Sequence, residues 1–266
     1  WLSHKAYEDA GVPVPTNWDE FVAAAPALKE KGILPMAVGQ QSWQQSGLFN
    51  VLMSSLVPVE IFEKVYGDKD AEVAAGPEVA RVFKAAADAR EMSDGSTVQS
   101  WNEATNLVIT GKAGGQIMGD WAQGEFSVAE QKAGSDYSCL PGLGVTEVLG
   151  TGGDAFYFPV LDDEEKSKAQ AELAALLLKP AVQVAFNLKK GSLPVRGDID
   201  LSTANDCMQK GLKLLAENKL VPDTNQLLTP DTTSQINDLF AEFFADASIT
   251  PEDAQKRFAD IIASAD

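Results

Sequence analysis

The sequence predicts an α/β protein in which helices outnumber strands. Segments with the 3.6-residue apolar period of helices alternate with short apolar runs of strand length. The chain has 266 residues, of which 45% are hydrophobic and 23% are charged, an ordinary globular composition. This length allows one large domain or two modest ones, and either can bury a substantial core. We find neither an internal repeat nor a low-complexity tract.

The first elements follow from capping signals and periodicity. The stretch Thr16–Asp19 resembles a helix N-cap followed by an acidic first turn, and Gly32 is expected to end that helix. The apolar run 33–38 predicts a buried strand, which Pro35 moves toward a sheet edge. Apolar residues at i, i+3, i+4 and i+7 between Val79 and Ala86 predict a helix that faces the core.

The middle of the chain continues the alternation of helix and strand. A helix is predicted over 101–112, stopped at Gly111, and it is followed by a strand at 115–118. A second apolar strand is predicted at 155–158. A further helix begins at Asp162–Glu165, where negative charge is favourable near the positive end of the helix dipole.

Three more helical segments are predicted toward the C-terminus. The last begins at Thr250, with Pro251 in the favoured first helical position. The clearest has these apolar residues on one face: Ile236, Leu239, Phe240, Phe243 and Phe244. The glycine-rich segment 142–153 is the best candidate for a flexible or domain-crossing connection.

Charge and hydropathy restrict the partners. The chain has 39 acidic and 21 basic residues and a formal charge of −18. This charge repels phosphate backbones and anionic headgroups, so nucleic acid is not an expected partner. No run approaches the roughly 20 apolar residues of a membrane span, so no direct membrane insertion is expected. The chain begins at Trp1 without an initiator Met or a signal peptide, so we expect a processed protein or a fragment.

The residues offer little for catalysis. His4 is the only histidine, which removes most nucleophile–histidine schemes and every multi-histidine metal site. Cys139 and Cys207 lack CxxC spacing, and both a disulfide and two buried thiols are compatible with their number. The segment 142–147 lacks the lysine–serine pair of a phosphate loop. We therefore expect no catalytic residue, no metal and no cofactor, although paired carboxylates of a glycosidase type stay open as an alternative.

Two tryptophans with polar neighbours are the best binding candidates. Trp43 lies in 39–45 after one predicted strand, and Trp121 lies in 114–126 after another. Ligands of open α/β sheets bind beyond the carboxyl ends of strands, where these residues would emerge. An indole can stack on the C–H face of a sugar while polar side chains bond its hydroxyls. Core tryptophans are the alternative, and the polar neighbours favour a pocket.

A family resemblance rests on motifs in order along almost the whole chain. They are Trp1-Leu-Ser-His-Lys-Ala-Tyr-Glu-Asp-Ala-Gly11, Pro15-Thr-Asn-Trp-Asp-Glu-Phe21, Gly39-Gln-Gln-Ser-Trp-Gln44, Trp101-Asn-Glu-Ala-Thr105, Gly111-Lys-Ala-Gly-Gly-Gln-Ile-Met-Gly-Asp-Trp121 and Phe186-Asn-Leu-Lys-Lys-Gly-Ser-Leu-Pro-Val-Arg196. With them the sequence resembles the family-1 extracellular solute-binding proteins of ABC sugar importers. These proteins belong to the maltose-binding-protein superfamily, and the sequence is most similar to the glucose/mannose type.

The resemblance implies a periplasmic-binding-protein-like type II fold, here the C-terminal lobe and part of the N-terminal lobe. Residues 1–148 and 201–266 would form the C-lobe, and 149–200 would hold a hinge crossing and an N-lobe portion. Family members carry roughly a further third of chain before the point that matches Trp1.

The implied function is an extracytoplasmic, periplasmic sugar-binding protein of an ABC transporter. It would close two lobes on a mono- or oligosaccharide and present it to a membrane permease, without catalysis or a cofactor. A monomer is expected. Two alternatives are a glycoside-processing enzyme and a ligand-binding partner of a chemoreceptor, which has the same fold.

The resemblance also implies ligand-binding residues. Trp121 matches a cleft tryptophan that stacks on the sugar, and Trp43 and Gln41 match a ligand-facing loop. Asp154 matches a position that accepts hydroxyl protons, and Lys190 matches a lysine that donates to sugar oxygens.

One position departs from the glucose-type pattern. Relatives of that type carry a histidine late in the chain, where the segment 222–230 offers Asn225. Asparagine both donates and accepts, but its reach differs, which puts glucose itself in doubt. The resemblance also favours a Cys139–Cys207 disulfide, because both cysteines fall in C-lobe segments of a protein from an oxidising compartment.

Overall fold

The computed structural model describes all residues from Trp1 to Asp266. The elements up to residue 138 are β1 Leu2–Ser3, α1 His4–Ala10, α2 Trp18–Glu30, β2 Leu34–Met36, α3 Ser42–Leu56, α4 Val59–Tyr66, α5 Ala71–Ala74, α6 Pro77–Met92, α7 Trp101–Ile109, β3 Ala113–Gly115, α8 Gln123–Val128 and β4 Tyr137–Ser138. The later elements are β5 Leu149–Thr151, α9 Glu164–Leu177, α10 Pro180–Lys190, α11 Asp206–Ala216, β6 Leu220–Pro222, α12 Thr224–Leu227, α13 Pro230–Ala245 and α14 Pro251–Ala263. Two 3₁₀ turns lie at Asp120–Ala122 and Pro141–Gly144.

The strands form one small mixed sheet and one parallel pair. The sheet has the order β2-β3-β1-β4, with β2 parallel to β3 and β1 antiparallel to both of its neighbours. Pro35 lies in the edge strand β2, as predicted, where its missing N–H leaves no ladder bond unmade inside the sheet. The second pair joins β5 to β6 in parallel, with Gly150 opposite Val221. Together with the prevailing helices, these sheets confirm the predicted α/β class.

Several helices begin where their caps predicted. The side chain of Asn17 accepts a hydrogen bond from the N–H of Glu20 at the start of α2, so Asn17 is the cap itself. Thr250 caps α14, with Pro251 in its first turn. The predicted helix around 79–86 is α6, whose residues Val79, Val82, Phe83 and Ala86 are all fully buried.

Three sequence predictions need correction. The strand predicted at 115–118 runs earlier, over Ala113–Gly115, because its register is set by pairing with β1 and β2. The strand predicted at 155–158 is irregular and exposed, since no neighbouring strand is present to accept its hydrogen bonds. Five helices, not three, follow α9.

The main hydrophobic core lies among α1–α6, α13 and α14. Its centre is Phe49, whose ring lies 4.2 Å from that of Phe240, 4.7 Å from that of Phe83 and 5.4 Å from that of Phe258. All four rings are fully buried. Aromatic pairs at these distances stabilise a core beyond the area they bury. This core fixes α3 and α13, the two helices that carry polar residues of the candidate site.

A smaller buried cluster surrounds a disulfide between Cys139 and Cys207. The Phe126 and Tyr137 rings stack at 4.1 Å beside it. The bond joins the chain after β4 to the start of α11, across a sequence separation of 68 residues. The structure therefore contains the disulfide that the resemblance favoured, and not two free thiols.

The segment that follows Cys139 is much less packed than the rest of the chain. No residue from Leu140 to Phe186 is buried. Its exposed apolar side chains include Tyr157, Val160 and Leu178. No single helix of the chain is long and apolar enough to cross a membrane, and one bent pair, α9 with α10 at 71°, reaches that length and composition only jointly.

Candidate functional site

Trp121 lies in the 3₁₀ turn that follows β3, and 37% of its surface is exposed. Its ring meets that of Trp101 edge to face, with centroids 6.5 Å apart. A side-chain carbon at Gly119 would lie 2.1 Å from the Trp121 ring, so only glycine lets the indole fold back over its own loop. Trp121 is thus held on two sides and open on a third, and it does not belong to the core.

The main chain before Trp121 is anchored by another indole. Nε1 of Trp1 donates to the carbonyl oxygens of Met118 at 2.9 Å and Gly119 at 3.2 Å. The Trp1 ring itself packs against Phe126 and Tyr137, with centroids 5.7 and 6.0 Å away. The loop is therefore tied to the small cluster around the disulfide.

A buried amide fixes the second ring, Trp101. Gln116 is 3% exposed, its Nε2 donates to the carbonyl oxygen of Trp101, and its Oε1 accepts from Oγ1 of Thr105. Both polar ends of this amide are satisfied, so α7 is held firmly against β3. The edge that Trp101 presents to Trp121 consequently has a fixed position.

Trp43 lies in the first turn of α3 and is 41% exposed. Oε1 of Gln41 accepts from Nε1 of Trp43 at 3.2 Å and from Nε2 of Gln44 at 2.9 Å. The Gln44 amide also donates to the carbonyl oxygen of Gln99, just before α7. The two predicted residues of this loop, Trp43 and Gln41, therefore contact each other, and Gln44 connects them to the segment that leads to Trp101.

A polar cleft of about 310 Å³ lies at the start of α13. Its lining residues are Asn225, Leu228, Pro230, Thr233, Ser234 and Asn237. Asn225 was predicted from sequence, and here its Nδ2 donates to Oδ1 of Asp223 at 2.9 Å. The hydroxyl of Ser46 donates to Oδ1 of Asn237 and also lies within hydrogen-bond distance, 3.3 Å, of the carbonyl oxygen of Trp43, so the two acceptors share its one proton. One intervening serine therefore connects the cleft to the Trp43 loop.

Sequence reasoning missed Thr233, Ser234 and Asn237. They lie outside the buried apolar face of α13, where polar residues usually contact only solvent. The three side chains are uncharged and carry both donors and acceptors, which matches the mixed donor–acceptor character of a sugar hydroxyl. No local sequence signal separates such a face from an ordinary solvated one.

The other two predicted residues form an ion pair. Nζ of Lys190 lies 2.8 Å from Oδ2 of Asp154, with side-chain exposures of 33% and 84%. Lys190 ends α10, where a cation is favoured by the helix dipole. An exposed pair of this kind contributes little to stability. Each group can therefore give up its partner for a ligand hydroxyl at a small cost in stability.

The residues with shifted pKa values lie outside the polar cleft. Hydrogen bonding to Asp198 raises the pKa of Arg196, and the same pairing lowers the pKa of Asp198. Arg196 also donates to the carbonyl oxygen of Leu178 and so ties the end of α9 to the loop after α10. Burial raises the pKa of Asp88, which lies on α6 in the packed part of the molecule. These shifts mark structural contacts, and the cleft lining itself is uncharged.

Cys139, Asp206 and Cys207 come close together, but their sulfur atoms form the disulfide. A thiol must be deprotonated and free to hold a transition metal, so this cluster is not a metal site. The remaining arrangement of half-exposed indoles, uncharged amides and hydroxyls is suited to binding a polar, neutral ring compound.

Comparisons with known proteins agree with this chemistry. A probable sugar-binding periplasmic protein of Brucella suis is 36% identical over 214 residues, which cover 80% of this chain and 50% of that protein. A probable sugar-binding periplasmic protein of Rhizobium meliloti is 36% identical over 219 residues, which cover 82% and 52%. The chain thus spans about half the length of these relatives.

Solved structures show the same fold at low identity. A chitin oligosaccharide binding protein superposes with a TM-score of 0.75 at 19% identity, over 99% of this chain and 68% of that one. A solute-binding protein of Streptococcus pneumoniae in complex with the blood group A-trisaccharide superposes with a TM-score of 0.69 at 20% identity, over the same shares of the two chains. These likenesses confirm the type II periplasmic-binding-protein-like fold. Because the profile of the bacterial extracellular solute-binding proteins also matches residues 1–184, the chain belongs to that family.

Proposed function

We propose that this chain is part of an extracytoplasmic sugar-binding protein that delivers its ligand to an ABC importer. The observation that carries the proposal is Trp121, a half-exposed indole held by Trp101 and Gly119. Its neighbours Asp120 and Gln123 bond to the segment that directly follows Lys190. A sugar presents C–H groups on one face and hydroxyls around its rim, and this arrangement offers partners for both. The names of the Brucella and Rhizobium relatives support the same ligand class.

The ligand is proposed to be a neutral mono- or oligosaccharide. Trp121 stacks on one ring face, and Trp43 with Gln41 contributes a second wall. Asp154 accepts hydroxyl protons and Lys190 donates to sugar oxygens. The cleft with Asn225 and Asn237 adds uncharged amides that can bond hydroxyls in either direction. An uncharged lining gives no strong preference for an anionic ligand.

The division into lobes is also a proposal. Residues 1–148 and 201–266 form one lobe, while 149–200 cross through β5 to a second lobe and return. The exposed apolar side chains of 152–186 support this division, because a surface of this kind usually packs against another element. Closure of the two lobes on the sugar is the conformational switch that a permease reads. A monomer in the periplasm, an oxidising compartment compatible with the Cys139–Cys207 bond, completes the proposal.

The test is a titration of the complete protein, as its host produces it, with glucose, mannose, xylose and maltose. Tryptophan fluorescence and calorimetry should both detect binding of at least one sugar. Trp121→Ala should weaken that binding by roughly 30-fold or more, since a buried aromatic contact is often worth about 2 kcal/mol. Val128→Ala is the matched control, because Val128 is an exposed apolar residue on the next helix. Equal affinity of the Trp121 variant and the wild type would contradict the proposed stacking role.

We also propose that the protein makes and breaks no covalent bond of its ligand. The family is one of solute-binding proteins, and the residues that line the polar cleft carry no carboxyl group. Incubation of the complete protein with chromogenic α- and β-glycosides should release no chromophore above the rate in buffer. Turnover that is lost in carboxylate variants would favour the glycoside-processing alternative. A pull-down with permease subunits and with chemoreceptor domains separates the two partner classes.

A further inference from the structure

Two loops that carry proposed ligand residues are joined by Asp120. Its Oδ1 accepts a hydrogen bond from Oγ of Ser192 at 2.9 Å, and its Oδ2 accepts from the N–H of Leu193 at 3.0 Å. Ser192 is buried, and Asp120 is half-buried. Hydrogen bonds to a carboxylate are stronger than those between neutral groups. Asp120 therefore uses both of its oxygens on the segment that follows α10.

A second contact joins the same loops a few residues away. Gln123 is 2% exposed, and its Nε2 donates to the carbonyl oxygen of Gly191 at 2.8 Å. Gly191 has φ +88°, and a side-chain carbon there would lie 2.3 Å from Cβ of Gln123. A glycine is needed at this position both for its backbone conformation and for the close approach. Together, Asp120, Gln123, Gly191, Ser192 and Leu193 form what we call the 120–193 junction.

The junction brackets the residues proposed to touch the sugar. Trp121 lies between Asp120 and Gln123, and Lys190 directly precedes Gly191. The two polar side chains therefore tie the chain beside Trp121 to the chain beside Lys190. We propose that Asp120 and Gln123 are positioning residues that hold the loop of Trp121 against the segment after Lys190 and so orient the indole for the sugar. This inference rests on the proposed function.

The alternative is that the two side chains only stabilise the fold. Gln255 provides a matched comparison, because it is also a buried glutamine whose amide bonds main-chain oxygens. Its Nε2 donates to the carbonyl oxygens of Ala74 at 3.0 Å and Gly76 at 2.8 Å, on helix α14 in the main core. A change to methionine removes the amide bonds at either position while nearly keeping the side-chain volume. Only the change at Gln123 should then affect the ligand site.

The experiment compares Asp120→Asn, Gln123→Met and Gln255→Met in the complete protein labelled with 5-fluorotryptophan. The fluorine resonance of Trp121 is assigned with Trp121→Phe and is recorded without sugar. The affinity for the tightest binder among glucose, mannose, xylose and maltose is measured by calorimetry. We expect both junction variants to shift or broaden the Trp121 resonance and to raise Kd roughly tenfold. Gln255→Met should lower the urea midpoint but leave the resonance and Kd at their wild-type values.

The outcomes separate the two proposals. A wild-type Trp121 resonance in both junction variants would overturn the positioning role, and so would a shifted resonance with unchanged Kd. If the wild-type protein binds none of the four sugars, the proposed function fails, while the resonance still reports whether the junction positions Trp121. Should Asp120→Asn not fold, Ser192→Ala removes one donor and leaves the Leu193 bond intact, and the same shift and loss of affinity are expected to a smaller extent.

Discussion

Two regions of this chain are rich in apolar residues, but only one of them buries these residues. In the packed body, formed by α1–α6, α13 and α14, four phenylalanine rings meet around Phe49. In the exposed segment, residues 152–186, no side chain is buried, and Tyr157 is 90% exposed. Helix α9 of that segment forms nonetheless, with Asp163 as its N-cap and acidic residues in its first turn.

The difference separates the formation of a helix from its contribution to stability. Local signals such as the Asp163 cap select where α9 begins. They do not provide the burial of apolar area that offsets the loss of chain entropy. The packed body has both the local signals and the burial. The exposed segment has only the local signals, so its leucines stabilise the chain only where another surface covers them.

The largest expected effect contrasts the two regions directly. Phe49→Ala should lower the free energy of unfolding of this chain by about 3–5 kcal/mol, because it leaves a cavity among three other rings. Phe156→Ala removes the same side chain from a site that is 65% exposed, and it should change stability by no more than about 0.5 kcal/mol. Urea unfolding followed by circular dichroism measures both. Similar losses in the two variants would mean that 152–186 is packed.

The disulfide should give the next largest effect, because it closes a loop of the chain that contains the exposed segment. Cys139→Ser with Cys207→Ser should cost about 2–4 kcal/mol, chiefly by giving the unfolded chain more freedom. Ser93→Ala is a control at a buried serine of the body that keeps the disulfide. An unchanged urea midpoint in the double variant would show that the bond does not restrain the chain.

The pH dependence should also differ between the regions. In the packed body, burial raises the pKa of Asp88 on α6 above its ordinary value. The folded chain therefore keeps this proton to a higher pH than the unfolded chain does, so the body gains stability from this group as the pH falls.

The exposed segment should respond to pH in the opposite direction. The Lys166 N–H lowers the pKa of Asp163 below its ordinary value of 3.8, so the cap of α9 contributes above that value and is lost as the pH falls below it. Urea unfolding of the wild type and of Asp88→Asn between pH 6 and pH 3 tests the contribution of the body, and the variant should lose the gain in stability at low pH. A gain that persists in Asp88→Asn would assign the effect to another group.

The sequence was sufficient wherever local signals decide the structure. Capping signals at 16–19 and at Thr250 predicted two helix starts closely, because a cap acts within its own turn. The prediction of a strand at 155–158 was wrong, because an apolar run forms a strand only when a second strand accepts its hydrogen bonds. The bounds of β3 were mispredicted for the same reason, because its position depends on pairing with β1 and β2.

The candidate site divides in the same way. Polar neighbours were enough to predict that Trp43 and Trp121 lie outside the core, and both are partly exposed. The polar face of α13 was missed, since only the tertiary contact between Ser46 and Asn237 distinguishes it from a solvated face. Asp120 likewise lies within one of the family motifs, but the sequence does not indicate that it bonds to residues after α10. Such roles come from contacts between distant segments, which a periodic pattern does not encode.

The smallest expected effect in this chain is the most informative about the exposed segment. Leu173 lies on α9 and is 46% exposed, so Leu173→Gln should change the stability of the 266-residue chain by less than about 0.5 kcal/mol. In the complete protein, the proposed second lobe covers this face, and the same change should then cost about 1–3 kcal/mol, because it buries an unpaired amide. Lys168→Gln, on the same helix, is the matched control and should be neutral in both. Equal, small losses in the two forms would contradict the assignment of 149–200 to a second lobe, since a covered leucine and an uncovered one cannot respond alike.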